Sequence, residues 1–202
     1  MFKARLGELV SSLDACEITS HLGPLDLDQG LSFACQLIRE TKSHGGIVYV
    51  IGNGGSAGIA SHFCNDLMKA LRVPSATLYD SNVLTCLSND IGYENIFSYQ
   101  LERLLKSNDL LVAISSSGRS SNIINAADVA HKHNAQLLTF SGFARDNPLR
   151  RLGTLNFWID RSDYGLVESA HFVLLHSVVD LWNKLTPLVI NYAQIPGDSE
   201  AR

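Results

Sequence analysis

The chain has 202 residues, 46% hydrophobic and 18% charged, and 16 Lys and Arg against 20 Asp and Glu give a formal charge of −4. That length fits one sizeable core and is short for two full domains, and the mild acidity gives no reason to expect nucleic acid or an anionic membrane as partner. No apolar run approaches the roughly 20 residues of a membrane span, so residues 1–202 are read as a single cytoplasmic domain.

The amino terminus, MFKARLGELVSSLDACE, is charged and amphipathic and lacks the apolar centre of a signal peptide. Cys16, Cys35, Cys64 and Cys86 are widely spaced and form no CxxC pair, which predicts reduced thiols rather than bridges. Helices are predicted over 2–16 and 27–44, separated by the turn-rich HLGPLDLDQG. Their apolar positions, among them Phe2, Leu6, Leu9, Val10 and Leu13, need a partner surface, either the chain's own sheet or another subunit. Short β-rich runs follow at 46–52, 75–80, 109–115, 135–141 and 154–160. Helical patterns occupy 56–72, about 94–106, 120–133, a short stretch near 145–152, and finally 164–186. The tail over 190–202 is polar with a Pro-Gly break and is predicted to fray. Wholly apolar strands alternating with helices predict a parallel sheet covered on both faces.

Ligands of such sheets bind outside the carboxyl ends of the strands, and two of these ends are chemically unusual. In GNGGSAG (52–58), glycines 52, 54 and 55 let the backbone approach a ligand, and the Ser56 hydroxyl can cap the next helix. In SSSGRSSN (115–122), Ser115, Ser116, Ser117 and Ser120 cluster before another helix. Hydroxyls and free helix N-terminal amides make an anion site without a lysine. Either loop alone also reads as an ordinary turn; two in one small sheet favour a phosphate. No P-loop motif is present. A dinucleotide fingerprint is the stronger rival, since Gly52, Gly54 and Ala57 fit G-x-G-x-x-A with Asp80 as the ribose acid. Yet Asp80 lies 28 residues beyond Gly52, where about 20 is usual, and that reading leaves the serine loop unexplained.

Four blocks in order, GNGGSAGIASHFCNDL, SNDIGYENIFSYQL, LLVAISSSGRSSNII and YGLVESAHFVLLHSVVDL, resemble the sugar isomerase (SIS) domain proteins, specifically the phosphoheptose isomerases. The resemblance spans about 30–186. It implies a three-layer, flavodoxin-like α/β fold with a five-stranded parallel sheet, and residues 1–44 as a helical extension making oligomer contacts. It also implies a homotetramer with active sites between subunits and one Zn²⁺ per site. The implied reaction converts sedoheptulose 7-phosphate into D-glycero-D-manno-heptose 7-phosphate, which begins the route to nucleotide-activated heptoses for lipopolysaccharide, capsule or related glycans. By the same resemblance, Asn53, Gly54 and Ser56 line the phosphate pocket with Ser115, Ser116, Ser117 and Ser120, while Asn89 and Asp90 face the sugar chain. His62, Asp66, Glu168 and His176 occupy catalytic or zinc positions, with Asp66 and His176 as the proton carriers and Glu168 also at the substrate.

The residue types suit that chemistry. Ketose–aldose exchange needs a base, an acid and clamps on the chain. His62 and Asp66 are four apart and Glu168 and His176 eight apart, so each pair shares a helix side. They read as acid and base or as four zinc ligands. Asp66 beside Lys69 also reads as a solvated helix face, His171 is the alternative site histidine, and Arg119 either touches phosphate or faces solvent. Against the family pattern, Asp66 replaces the usual glutamate, Glu168 the usual glutamine, and Gly165 a frequent aspartate. Those departures keep two other outcomes open: an isomerase of another ketose phosphate, or a non-catalytic regulator that senses sugar phosphates or binds the replication initiator.

Overall fold

The computed structural model describes residues 1–185; the tail at 190–202 lies outside them. In chain order the elements are α1 (Phe2–Asp14), β1 (Glu17–Ser20), β2 (Gly23–Leu25), α2 (Leu27–Ser43), β3 (Val48–Ile51), α3 (Gly55–Lys69), β4 (Ser75–Ala76), α4 (Ser81–Ile91), α5 (Ser98–Leu104), β5 (Leu110–Ser115), α6 (Ser121–Lys132), β6 (Gln136–Gly142), β7 (Leu155–Ile159) and α7 (Tyr164–Leu185).

One sheet of seven strands runs in the order β2-β1-β7-β6-β5-β3-β4. Its last five strands are parallel, and by their order in the chain they run 5-4-3-1-2, the flavodoxin arrangement. The predicted five-stranded parallel sheet is therefore present. The structure adds an antiparallel hairpin, β1–β2, on the β7 edge. The sequence reading treated that segment as a turn, because three- and four-residue strands containing Gly23 and Pro24 have no room for an alternating pattern.

Burial explains why the central strands are apolar throughout. Val48 and Val50 face one core with α2, α3 and α7, while Tyr49 and Ile51 face the other with α5 and α6. In β5, Leu110, Val112 and Ile114 enter the first core and Leu111 and Ala113 the second. With both faces covered, buried positions are apolar or, like Thr139 and Asn156 in β6 and β7, polar and hydrogen-bonded to each other at 2.9 Å. Phe140 and Phe157, neighbours across β6 and β7, stack with centroids 5.0 Å apart.

Helix ends follow local chemistry. Asp26 and Gln29 form a reciprocal capping box on α2, and Asp80 caps α4 by accepting from the Val83 amide at 3.0 Å. α4 was not anticipated: none of its residues is fully buried, although Leu84 and Leu87, one turn apart, pack on the second core. The predicted helix near 145–152 shrinks to a 3-10 turn at Leu149–Arg151, and the run at 75–80 pairs with the sheet only through Ser75 and Ala76.

Among the exposed large hydrophobics, Phe2, Leu6 and Val10 lie on α1, so that helix leaves part of its apolar face uncovered. No described helix is long and apolar enough to cross a membrane. Cys16, Cys35, Cys64 and Cys86 are all free thiols, and burial pushes Cys16 up to about 12.

Candidate functional site

The two unusual loops meet. Asn53 and Ser56 from the β3–α3 connection and Ser115, Ser116, Ser117 and Ser120 from the β5–α6 connection line one small cavity of about 120 Å³, closed by Tyr164 and Glu168 of α7. It opens at the carboxyl ends of β3 and β5 beside the N-termini of α3 and α6, where unpaired helical amides favour an anion. Ser116 is 4% exposed and its hydroxyl has no partner among the described residues. A buried, unpartnered hydroxyl costs free energy unless something it can bond occupies the cavity.

Gly54 is the N-cap of α3, with φ +53°. It holds a conformation that side chains avoid and gives α3 no side-chain cap. The expectation that Ser56 caps the helix is thereby corrected: Ser56 already lies in the first helical turn, where it lines the cavity. In the second loop, Ser115 and Ser120 hydroxyls lie 3.3 Å apart and the Ser117 oxygen accepts from the Arg119 amide at 3.2 Å. Arg119 itself pairs with Asp146 at the surface, 3.1 Å away, and does not line the cavity.

Three residues that the sequence did not single out brace these loops. The Tyr79 phenol accepts from the Gly52 amide at 2.6 Å and donates to the Gly52 carbonyl at 3.0 Å; burial raises its ionisation above the ordinary tyrosine value. Asn53 and Asn122 exchange amide hydrogen bonds, both 2.9 Å, and the Tyr93 hydroxyl donates to the Asn53 oxygen at 2.9 Å. Asn122 is 2% exposed. No local pattern marks these partners, because they come from 27 to 69 residues away.

A second cluster lies further along α3 and α7. His62 Nε2 is 3.3 Å and His176 Nδ1 3.6 Å from the same Asp66 oxygen, and the imidazole centroids are 5.0 Å apart. Phe172 packs against both rings, 5.2 and 4.5 Å away, which fixes their planes. His62, Asp66 and His176 each bring one ligand atom within 4.8 Å of the others. Two ring nitrogens and a carboxylate oxygen suit Zn²⁺ and leave a fourth position open. Both histidines are exposed to about 40–46%.

Within the one chain, Glu168 lies apart from these three residues. Eight residues on a helix return to the same side, as the spacing implied, but also advance about 12 Å along the axis. The Glu168 carboxylate packs instead on Gly55, in the first turn of α3, so closely that its oxygens would lie 2.2–2.6 Å from a Cβ there. His171, the alternative histidine, is fully buried; its Nε2 meets the Ser141 carbonyl at 3.0 Å and Nδ1 has no partner. Burial pushes it down to about 4, so it stays neutral inside the core. Asn89 and Asp90 are exposed near the end of α4, outside both clusters. Hydrogen bonds from Asn89 and Cys86 hold the Asp90 carboxyl below its usual range. At Gly165 a side chain would crowd Asp163 and Arg5; Asp163 accepts from the Leu166 amide at 2.9 Å.

An anion cradle at a parallel-sheet switch point, with a histidine–carboxylate cluster beside it, defines an α/β domain for a phosphorylated small molecule. Comparison with known proteins narrows the class. Residues 25–142 match the SIS domain family. The phosphoheptose isomerase of Campylobacter concisus is 36% identical over 154 residues, covering 73% of this chain and 81% of that protein. In structure, the chain resembles the phosphoheptose isomerases of Neisseria gonorrhoeae and Francisella tularensis. Their TM-scores are 0.79 and 0.78 at 24% and 22% identity, over 90% and 91% of this chain and 97% and 94% of those. The chain belongs to the phosphoheptose isomerases of the SIS domain family.

Proposed function

We propose that the protein isomerises sedoheptulose 7-phosphate to D-glycero-D-manno-heptose 7-phosphate, in the cytoplasm, for nucleotide-activated heptose synthesis. The observation that carries this reading is the pairing of an anion cradle, with the orphaned Ser116 hydroxyl inside it, and a proton-carrying triad on the same two helices.

In the reaction a proton leaves C1 of the ketose, an enediol forms, and a proton returns at C2. The loop pocket holds the phosphate with helix amides and serine hydroxyls, so the reacting carbons are fixed relative to the anion. Asp66, touching both imidazoles, takes the carbon-bound proton, and His176 serves the oxygen that becomes a hydroxyl. His62 and Phe172 hold these groups in register. Zn²⁺ held by His62, Asp66 and His176 would polarise the substrate carbonyl. A shorter acid than glutamate is accommodated because both imidazoles close on it from the same side.

Loop pocket and triad are about 10–12 Å apart along α3 and α7, and the triad is half-exposed. These features and the uncovered face of α1 support a homotetramer in which a neighbouring copy completes each site. The experiment follows aldose formation from sedoheptulose 7-phosphate by NMR, with and without Zn²⁺. Wild type should turn over, and H176A should lose at least 10³-fold with its assembly intact. Full activity in H176A would overturn the triad, and turnover of a different ketose phosphate alone would overturn the substrate. Co-assembling inactive S116A and H176A chains should restore partial activity if loops and triad come from different copies.

A further inference from the structure

A larger cavity than the loop pocket lies elsewhere. A groove of about 710 Å³ runs beside β1 and the starts of β6 and β7, away from the loop pocket, and is lined by Arg145, Arg150, Arg151, His21, His131 and Thr154 among others. No Asp or Glu is among its described lining residues. Glu17, just outside it, offers one oxygen to both Arg145 and Arg150, at 2.9 and 2.7 Å. Burial alone would raise the Glu17 carboxyl, but the two guanidinium groups outweigh it and hold it below its ordinary range. One carboxylate thus faces two guanidinium groups, and the Arg151 side chain has no hydrogen bond or ion pair among the described residues. Arg150 is built in rather than loose: its side chain is 12% exposed and its guanidinium lies 4.3 Å from the Trp158 ring centroid. The cationic surplus is therefore local, fixed and set in a concave space of small-ligand size, although the chain as a whole is acidic.

We propose that this groove is a second binding site, for a small ligand carrying two or more phosphate groups, and that it acts on the serine loop of the first site. Guanidinium groups match phosphate oxygens in fork geometry, and the hydroxyl of Thr154 and the rings of His21 and His131 supply further polar contacts. An extended nucleic acid is disfavoured, because the basic residues form a pocket and not a stripe.

The link to the first site is the segment that carries the arginines. The Leu149 amide donates to the Gly118 carbonyl at 3.2 Å, inside the serine loop. Fully buried Asn147 donates to the Gly142 and Ala144 carbonyls at 3.1 and 2.9 Å and accepts from the Arg150 amide at 3.0 Å. Its oxygen occupies the space that a Cβ on Gly118 would need, 2.0 Å away, and Gly118 has φ +61°. One face of this turn therefore meets the groove and the other supports the loop, so an anion that fixes the arginines also fixes Gly118.

The test uses the full chain and inorganic pyrophosphate, titrated calorimetrically at low ionic strength. Wild type should bind, and the surface double variant R145Q/R151Q should bind at least tenfold more weakly. An unchanged dissociation constant in that variant, or no binding by wild type, would overturn the site. A loss confined to S116A would also overturn it, by placing the anion in the loop pocket. Hydrogen exchange over residues 115–122 should slow on pyrophosphate addition in wild type and not in R145Q/R151Q. Binding without that protection would overturn the link to the loop. None of these readouts depends on sugar turnover, so they fail or succeed separately from the isomerase reading.

Discussion

The loop pocket and the histidine triad share α3 and α7, and the pocket draws also on the β5–α6 loop, yet they are built by opposite means. The pocket is made largely of backbone and short hydroxyls at the mouths of α3 and α6, with Tyr79, Asn122 and Tyr93 bracing it from behind. The triad is made only of side chains, two turns further along, and stands half in solvent. A site made of helix ends and glycine conformations is fixed once the chain folds. One made of exposed imidazoles is held only by side-chain contacts, here those of Asp66 and Phe172.

Between the two regions on α7 sits His171, which pins the helix to the end of β6 through the Ser141 carbonyl. It provides the largest test of whether the regions are held in fixed relation. Its value of about 4 lies below its unfolded value of 6.5, so the fold takes up the neutral ring and the unfolded chain the charged one. The resulting stability is full above pH 6.5 and is lost as pH falls toward 4, by about 3 kcal/mol. In H171Q, which cannot titrate, denaturant unfolding followed from pH 7 to 4.5 should lack most of this slope. Equal slopes in both proteins would mean that the ring is not buried neutral.

How much of this was legible in the sequence differs in the same way. The parallel sheet, the two loops and the gathering of their serines were readable, because apolar runs and glycine-rich strand ends are local patterns. The hairpin of β1 and β2 left no such pattern, and α4 was passed over although Leu84 and Leu87 pack on the second core. For Glu168, spacing gave direction around the helix but not distance along it, and within the one chain the residue lines the serine pocket, apart from His176. Asn122, Tyr79 and Tyr93 were silent because their role is a contact formed only by folding. The groove was missed because Arg145, Arg150 and Arg151 read as ordinary surface charge until Glu17 and Trp158 were seen beside them.

A second test sharpens the claim that the loop pocket is preset. Asn122→Ala leaves the Asn53 amide without its reciprocal partner at a buried position, costing about 1–3 kcal/mol. Should Asn53 then wander, KM for the sugar phosphate ought to rise 10-fold or more while any uptake of added Zn²⁺ stays as in wild type. Tyr93→Phe removes one bond of the same set and ought to show a smaller shift in the same sense. An effect of N122A on metal content rather than on KM would mean that the two regions are not separable.

The smallest expected effect concerns the carboxylate that sits in the anion pocket. Glu168 has no hydrogen bond or ion pair among the described residues and packs on Gly55, where the α3 N-terminus favours negative charge. Its charge therefore competes with a bound phosphate for the same helix end. Glu168→Gln removes the competitor and keeps the shape. The unliganded protein should lose about 0.3–1 kcal/mol of stability, while inorganic phosphate, measured as a competitive inhibitor, should bind several-fold more tightly. The two shifts have opposite signs because one anion has been taken from the helix mouth and the other admitted to it. Weaker phosphate binding in E168Q would reverse the reading. The carboxylate would then be working with a cation at the phosphate, and the pocket and the triad would be one charged site rather than two.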